Sequence, residues 1–310
     1  MSDKKYTSNA THITVCQRQS GAALLIFFIL LFSAAAAVAL NALNNRVSAR
    51  SSNPVVLSEM NSVKEALLAF ATLQPDYDDS GPGRLPCPDT NNDRISEANC
   101  TSNTIGRLPS EYTLGIPFSF SERQNDDRFW YVITGSFRFN PTITGLNSAT
   151  DGDLLLNGQS DIVALIIDPG EAIGNQTRIN NNPTNYLENG NQTGPAFVTS
   201  SPTPDQFNDR IVAITGQEMR ILMTRQAALE IQRVIDSYHP ANGDTYPTDQ
   251  PTFEAAMAAA AAWFNSENWL STITFTSNSA NQVEIEFQNC NIIYSINFPP
   301  SELQRDRNAC

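Results

Sequence analysis

Residues 17–40 read QRQSGAALLIFFILLFSAAAAVAL, and the rest of the chain takes its meaning from this stretch. No charged residue occurs from Gln19 to Asn45, and Ala22 to Leu40 is apolar apart from Ser33. As a helix rising 1.5 Å per residue, that segment reaches about 28 Å, close to the hydrocarbon thickness of a bilayer. Before it stand Lys4, Lys5 and Arg18 against Asp3. The 310 residues together carry 32 acidic and 19 basic side chains, a net charge of −13, so the part beyond Gly21 is more acidic still. A weakly basic start, an apolar run and an acidic body place the N-terminus in the cytoplasm and the body across the membrane. Arg46 and Arg50 on the far flank pull the other way.

The cysteines divide at the same place. Cys16 precedes the apolar run, while Cys87, Cys100, Cys290 and Cys310 come after it. An even set in two sequence-local pairs reads as two disulfides made in an oxidising compartment. Four separate buried thiols are the alternative. Zinc is disfavoured, because neither pair has C-x-x-C spacing and no histidine lies near.

The loop after Cys87 also invites a metal test. Asp89, Asn91 and Asp93 alternate as in a calcium loop, and Glu97 falls at its ninth position. Arg94 stands where such loops want glycine, and Cys100 replaces the bidentate acid at position twelve. A disulfide-closed acidic turn accounts for the same residues without calcium.

Three readings compete for the apolar run. A cleavable secretory signal would use the small residues Ala34 to Ala39. An uncleaved anchor would end at the asparagines and Arg46. The third rests on Arg18 and on Gly21 abutting Ala22-Ala23-Leu24-Leu25-Ile26, which resembles the prepilin peptidase junction of type IV pilins and type II secretion pseudopilins. That resemblance implies cleavage between Gly21 and Ala22, leaving the apolar run as the N-terminal helix of the mature subunit. It also implies partners: the peptidase, the inner membrane, and other pilin or pseudopilin subunits packed through that helix. The family usually has Phe and Glu at mature positions one and five, where this chain has Ala22 and Ile26. The glutamate normally meets a neighbour's N-terminal ammonium in an apolar core, where an unpaired charge is costly. Its absence resembles the K-type minor pseudopilin and some large minor pilins, which sit at or near the filament tip.

Downstream patterning fits that reading. Pro54 suits the first turn of a helix, and Val55, Val56, Met60, Val63, Leu67, Leu68 and Phe70 line one face up to Leu73. Gln74-Pro75 ends it. Strands are expected over Phe129–Phe139, Asp161–Ile167 and Arg210–Thr215, and the asparagine-rich stretch Gly170–Gly194 reads as a long surface loop. Helices come next, near Gly216–Tyr238 and Gln250–Leu270. Ser271–Thr276, Gln282–Phe287 and Asn291–Phe298 then form an antiparallel meander. Cys290 and Cys310 would staple the tail to its last turn, like the C-terminal disulfide loop of many pilins.

The expected fold is α+β: a long N-terminal hydrophobic helix, then a globular head with an antiparallel sheet. The parts are a leader 1–21, a membrane and filament-core helix 22–73, a disulfide-containing αβ head 74–215, and a unit 216–310 of helix and antiparallel sheet. Leu229 to Tyr238 leading through Asn242-Gly243 to Tyr246-Pro247 resembles the helix-to-loop transition of major pseudopilins, so 216–310 reads either as a second pilin-like unit or, with the helix before Pro75, as one of two unrelated amphipathic helices with ordinary Gly-Pro exits. Arg84-Leu85-Pro86-Cys87-Pro88-Asp89, Gly106-Arg107-Leu108-Pro109, Phe129-Trp130-Tyr131, Asp168-Pro169-Gly170 and Asn208-Asp209-Arg210 resemble segments of large pilin-like proteins.

Composition excludes other classes. A net charge of −13 disfavours nucleic acid as a partner. With only His12 and His239, a histidine relay or multi-histidine metal site is improbable. No nucleophile elbow, phosphate-binding loop or zinc-protease motif occurs. The expectation is a structural filament subunit, not an enzyme, with no cofactor unless calcium binds at Asp89. The alternative from another class is a membrane-anchored binding protein or adhesin that never enters a filament.

Overall fold

The computed structural model describes residues 54–73, 80–101, 103–110, 128–139, 145–174, 176–243, 245–289, 292–298 and 301–307. Two compact units divide the chain at Met1–Val55 and Val56–Cys310. Gly21, Ala22 and the apolar run to Leu40 lie outside the described residues, as do Cys290 and Cys310. Among the described residues no helix is long and apolar enough to cross a membrane.

The body is α+β. Helix α1 covers 54–73 and buries Met60, Val63, Leu67, Phe70 and Ala71. Those positions recur every three or four residues, the period that keeps one helix face on a core. Val55 and Leu73, at its two ends, are exposed.

Six strands make the first sheet: β1 (Ile105–Arg107), β2 (Trp130–Ile133), β3 (Leu154–Leu156), β4 (Gln159–Asp168), β5 (Ala196–Phe197) and β6 (Arg210–Thr215). Long β4 is its spine. β2 and β3 share one of its edges in tandem, and β6 runs antiparallel along the other. The chain turns from β6 directly into α2 (Gly216–Ala241). Thr215 caps α2, its hydroxyl accepting from Glu218 N–H while the Glu218 carboxylate accepts from Thr215 N–H, a reciprocal capping box. A Cβ at Gly216 would fall 1.9 Å from Asp161 Oδ1, so any larger residue at this joint would have to displace that carboxylate.

Short helices α3 (Gln250–Ala256) and α4 (Ala262–Ser266) precede the second sheet, an antiparallel meander of β7 (Ile273–Ser279), β8 (Gln282–Phe287), β9 (Ile292–Asn297) and β10 (Glu302–Arg307). The single helix expected over Gln250–Leu270 is thus broken. Ala260 and Ala261 leave the helical backbone, with ψ of 160° and 151°, and Trp263 and Phe264 beyond them enter the core. The N–H of Ala261 freed by the break is taken by Glu230 Oε1 at 2.7 Å. Burial of two aromatic rings outweighs the small helix preference of an alanine run.

Both faces of the first sheet are covered. Tyr131, Ile133, Val163, Ala164, Ile166, Val212 and Ile214 point into a core shared with α1, α2 and the second sheet. Trp130, Val132, Ile162, Leu165 and Ile167 point the other way, and Tyr186, Leu187 and Phe197 close over them. The Gly170–Gly194 stretch is therefore not merely a surface loop. Tyr186 and Leu187 within it cover the outer face, while Asn191, fully buried, donates to Val198 O and accepts from Val198 N–H.

Candidate functional site

Four strand ends meet at one end of the first sheet. Pairing sets Arg107 opposite Trp130, Trp130 opposite Ile167, and Ile167 opposite Ile211. The segments Gly106–Pro109, Phe129–Tyr131, Asp168–Gly170 and Asn208–Arg210, scattered in sequence, therefore converge. Arg210 closes the row through a 2.5 Å ion pair with Asp168.

Arg107 is fully buried. Its guanidinium lies 4.0 Å over the Trp130 ring and 4.3 Å over the Tyr186 ring, where the negative ring faces stabilise a desolvated cation. It donates to Arg128 O at 2.7 Å and to Asn181 Oδ1 at 3.3 Å. Asn181 in turn donates to Thr90 O at 2.7 Å, tying the asparagine-rich cover to the loop beyond Cys87.

That loop is closed by the Cys87–Cys100 disulfide, with Cα atoms 5.7 Å apart. The candidate calcium ligands lie within it, but their oxygens face internal donors. Asp89 is wholly buried; Oδ1 accepts from Asn92 N–H and Oδ2 from Arg94 N–H. Asn91 Oδ1 accepts from Asp93 N–H, and Asp93 Oδ1 from Ile95 N–H. Glu97 Oε1 accepts from the N–H and hydroxyl of Thr90. Arg94 does adopt the left-handed backbone (φ 78°) that calcium loops reserve for glycine.

The cation of this loop is a guanidinium. Buried Arg128 donates to Asp89 Oδ2 at 2.7 Å, to Asn92 Oδ1, and to Leu108 O at 3.1 Å. Of the four candidate calcium ligands, Asp89 is the one whose carboxylate meets the Arg128 guanidinium. Among the described residues, no group of three or more His, Cys, Asp or Glu could hold a metal.

Beneath the cover lies a second polar knot. Glu188 N–H and Asn191 Nδ2 donate to Asp209 Oδ2 at 2.9 and 2.8 Å. Asn208 N–H and Asp209 N–H donate to Glu188 Oε2 at 3.2 Å each, and Gln176 donates to Oε1 at 2.6 Å. Asp209 Oδ1 is buried and receives no donor. Burial, reinforced by the charge of Glu188, pushes the Asp209 carboxyl up to about 8 against the pull of its two donors. Tyr131, wholly buried on the opposite face, is likewise held far above its ordinary range by desolvation.

A separate open feature is a groove of about 690 Å³ between α2 and α3, lined by Val234, Ser237, Tyr238, Ala255, Ala258 and neighbours. Its lining offers aliphatic groups, hydroxyls and the Asn242 carboxamide but no carboxylate, imidazole or ammonium. His239 lies just beyond, stacked on Tyr246 at 4.3 Å, which stacks on Phe298 at 3.7 Å.

No protein-family model, curated protein or solved structure matches the chain.

The sequence points to Asp89 and to the Cys87–Cys100 pair, and marks Arg107 within Gly106-Arg107-Leu108-Pro109 without giving it a role, but does not point to Arg128 or Glu188. The motif Asn208-Asp209-Arg210 marks Asp209 without giving it a role. Its partner Glu188 lies in a polar run with no periodicity, and only the fold brings the two together.

Proposed function

We propose that this chain is a minor pilin-like or pseudopilin-like subunit of a type IV pilus or type II secretion-type filament, placed at or near its tip. The reading rests on the junction at Gly21 and on the apolar run and helix-forming segment beyond it. One observation carries it further: α1 drives Met60, Val63, Leu67 and Phe70 into the core of the head. Lys64 on the same helix pairs with Glu218 of α2 at 2.6 Å. A force applied through residues before 54 would then be borne by the head's own core, which a subunit extracted from a membrane needs. The Cys87–Cys100 disulfide supports export to an oxidising compartment. The mechanism is assembly, not turnover, with the apolar run in the inner membrane before extraction. The two helix-and-sheet passages, α1 with the first sheet and α2 with the meander, fit a pair of pilin-like units fused into one head.

The test is the mass of the protein extracted from membranes of cells with and without prepilin peptidase. Loss of Met1 to Gly21 only where the peptidase is present supports the proposal. An intact N-terminus in both overturns it in favour of a membrane-anchored binding protein or adhesin.

A further inference from the structure

Two carboxyl groups, Glu188 and Asp209, face each other beneath the cover of the first sheet, and both are almost wholly buried. Each accepts from the other's backbone N–H, so the segments carrying them are locked reciprocally. The charged groups around them are committed elsewhere. Arg210, next in the chain, pairs with Asp168 of β4 at 2.5 Å. Arg178 of the cover donates to Pro169 O, Gly170 O and Gln176 Oε1. Glu171 and Asp205 are exposed. Five donors serve both oxygens of Glu188 and Oδ2 of Asp209, yet Asp209 Oδ1 has none. A carboxylate oxygen shut away from water, with a second carboxylate beside it, is strongly disfavoured unless a proton lies between them.

We propose that Glu188 and Asp209 share a single proton that latches the 169–209 cover onto the sheet, so that the cover is held shut in acid and loosens in alkali. The proton sits on Asp209 and is donated toward the Glu188 carboxylate. Its removal leaves two like charges in one dry pocket, and the relief is to part the segments that carry them. Linkage sets the direction. In the unfolded chain Asp209 ionises near its ordinary 3.8, whereas in the fold it holds its proton up to about 8. The latch therefore contributes fully below the first value and is lost as pH rises through the second.

Amide hydrogen exchange of the full chain in detergent micelles, measured from pH 5 to 9.5 and corrected for intrinsic rates, tests this. Protection in 176–209 is expected to fall about tenfold per pH unit from pH 5 up to about 8, where the closed form loses its proton, and to level off above that, while α2 stays protected. In Asp209→Asn, whose amide keeps a donor toward Glu188 at any pH, the fall should vanish. In Glu188→Gln the like charge is gone, and the fall should level off at lower pH. An infrared carboxylic-acid band present at pH 7 in the native chain should be missing from Asp209→Asn. Protection that does not change with pH in the native chain overturns the proposal. So does an unchanged profile in either variant, or absence of the acid band.

Discussion

Arg128 brings a full positive charge into a pocket from which water is shut out, and the loop after Cys87 is shaped around that charge. Asp89, Asn92 and the Leu108 carbonyl accept from it, and Asp89 is wholly buried. Removing one partner of such a pair leaves the other charge uncompensated, a larger effect than the pair's own worth. Arg128→Met is expected to destabilise the body by roughly 3–5 kcal/mol in urea denaturation. Calcium should not restore it, because the loop's oxygens stay on their backbone donors. A different balance holds at Glu218, where burial alone would raise the carboxyl but the Lys64 ammonium and the Thr215 donors bring it below its ordinary range.

At the scale of elements, the β6–α2 joint shows most directly how sequence sets structure. Thr215 and Glu218 close the N-terminus of a 26-residue helix, and no loop residue intervenes after the strand. Thr215→Ala should cost about 1 kcal/mol, measured as a shift of the denaturation midpoint with an unchanged slope. This joint is legible in the sequence only in its bounds: β6 and the start of α2 fall where the strand Arg210–Thr215 and the helix from Gly216 are expected, while the cap itself emerges from the structure. The meander is legible for a similar reason, since Val283, Ile285 and Phe287 alternate with polar residues. Strand β10 is not, because Glu302 to Arg307 is a polar edge strand whose one apolar residue, Leu303, is half-buried. Charged edges suppress strand-to-strand aggregation, and they erase the apolar alternation by the same substitution. The candidate site is the least legible part. Arg107, Arg128, Glu188 and Asp209 are brought together by register and by a cover that has no local pattern.

In the whole molecule, parts distant in sequence are tied by a few buried contacts. Arg84, in the segment after α1, pairs with Glu267 at 2.5 Å, and Glu267 Oε2 also accepts from Leu146 N–H. Asn147 Nδ2 donates to the Glu267 carbonyl, so three separated stretches share one residue. A single apolar core then runs from Met60 of α1 to Ile296 of β9. The disulfide adds a constraint on the unfolded chain, because it joins cysteines 13 residues apart. Reduction, or Cys87→Ala with Cys100→Ala, should lower stability by about 3 kcal/mol. The loss should appear equally in the alanine variant under oxidising conditions, and reductant should then have no further effect at this loop.

Lys64 has one more use. It is the last lysine in the sequence, and its ammonium is held against Glu218. An amine-directed reagent can therefore mark the whole body at one address only, at the contact between its first helix and α2. The speed of that marking becomes a clock for how often the first helix lifts from the head. A head under tension should run that clock faster than one at rest.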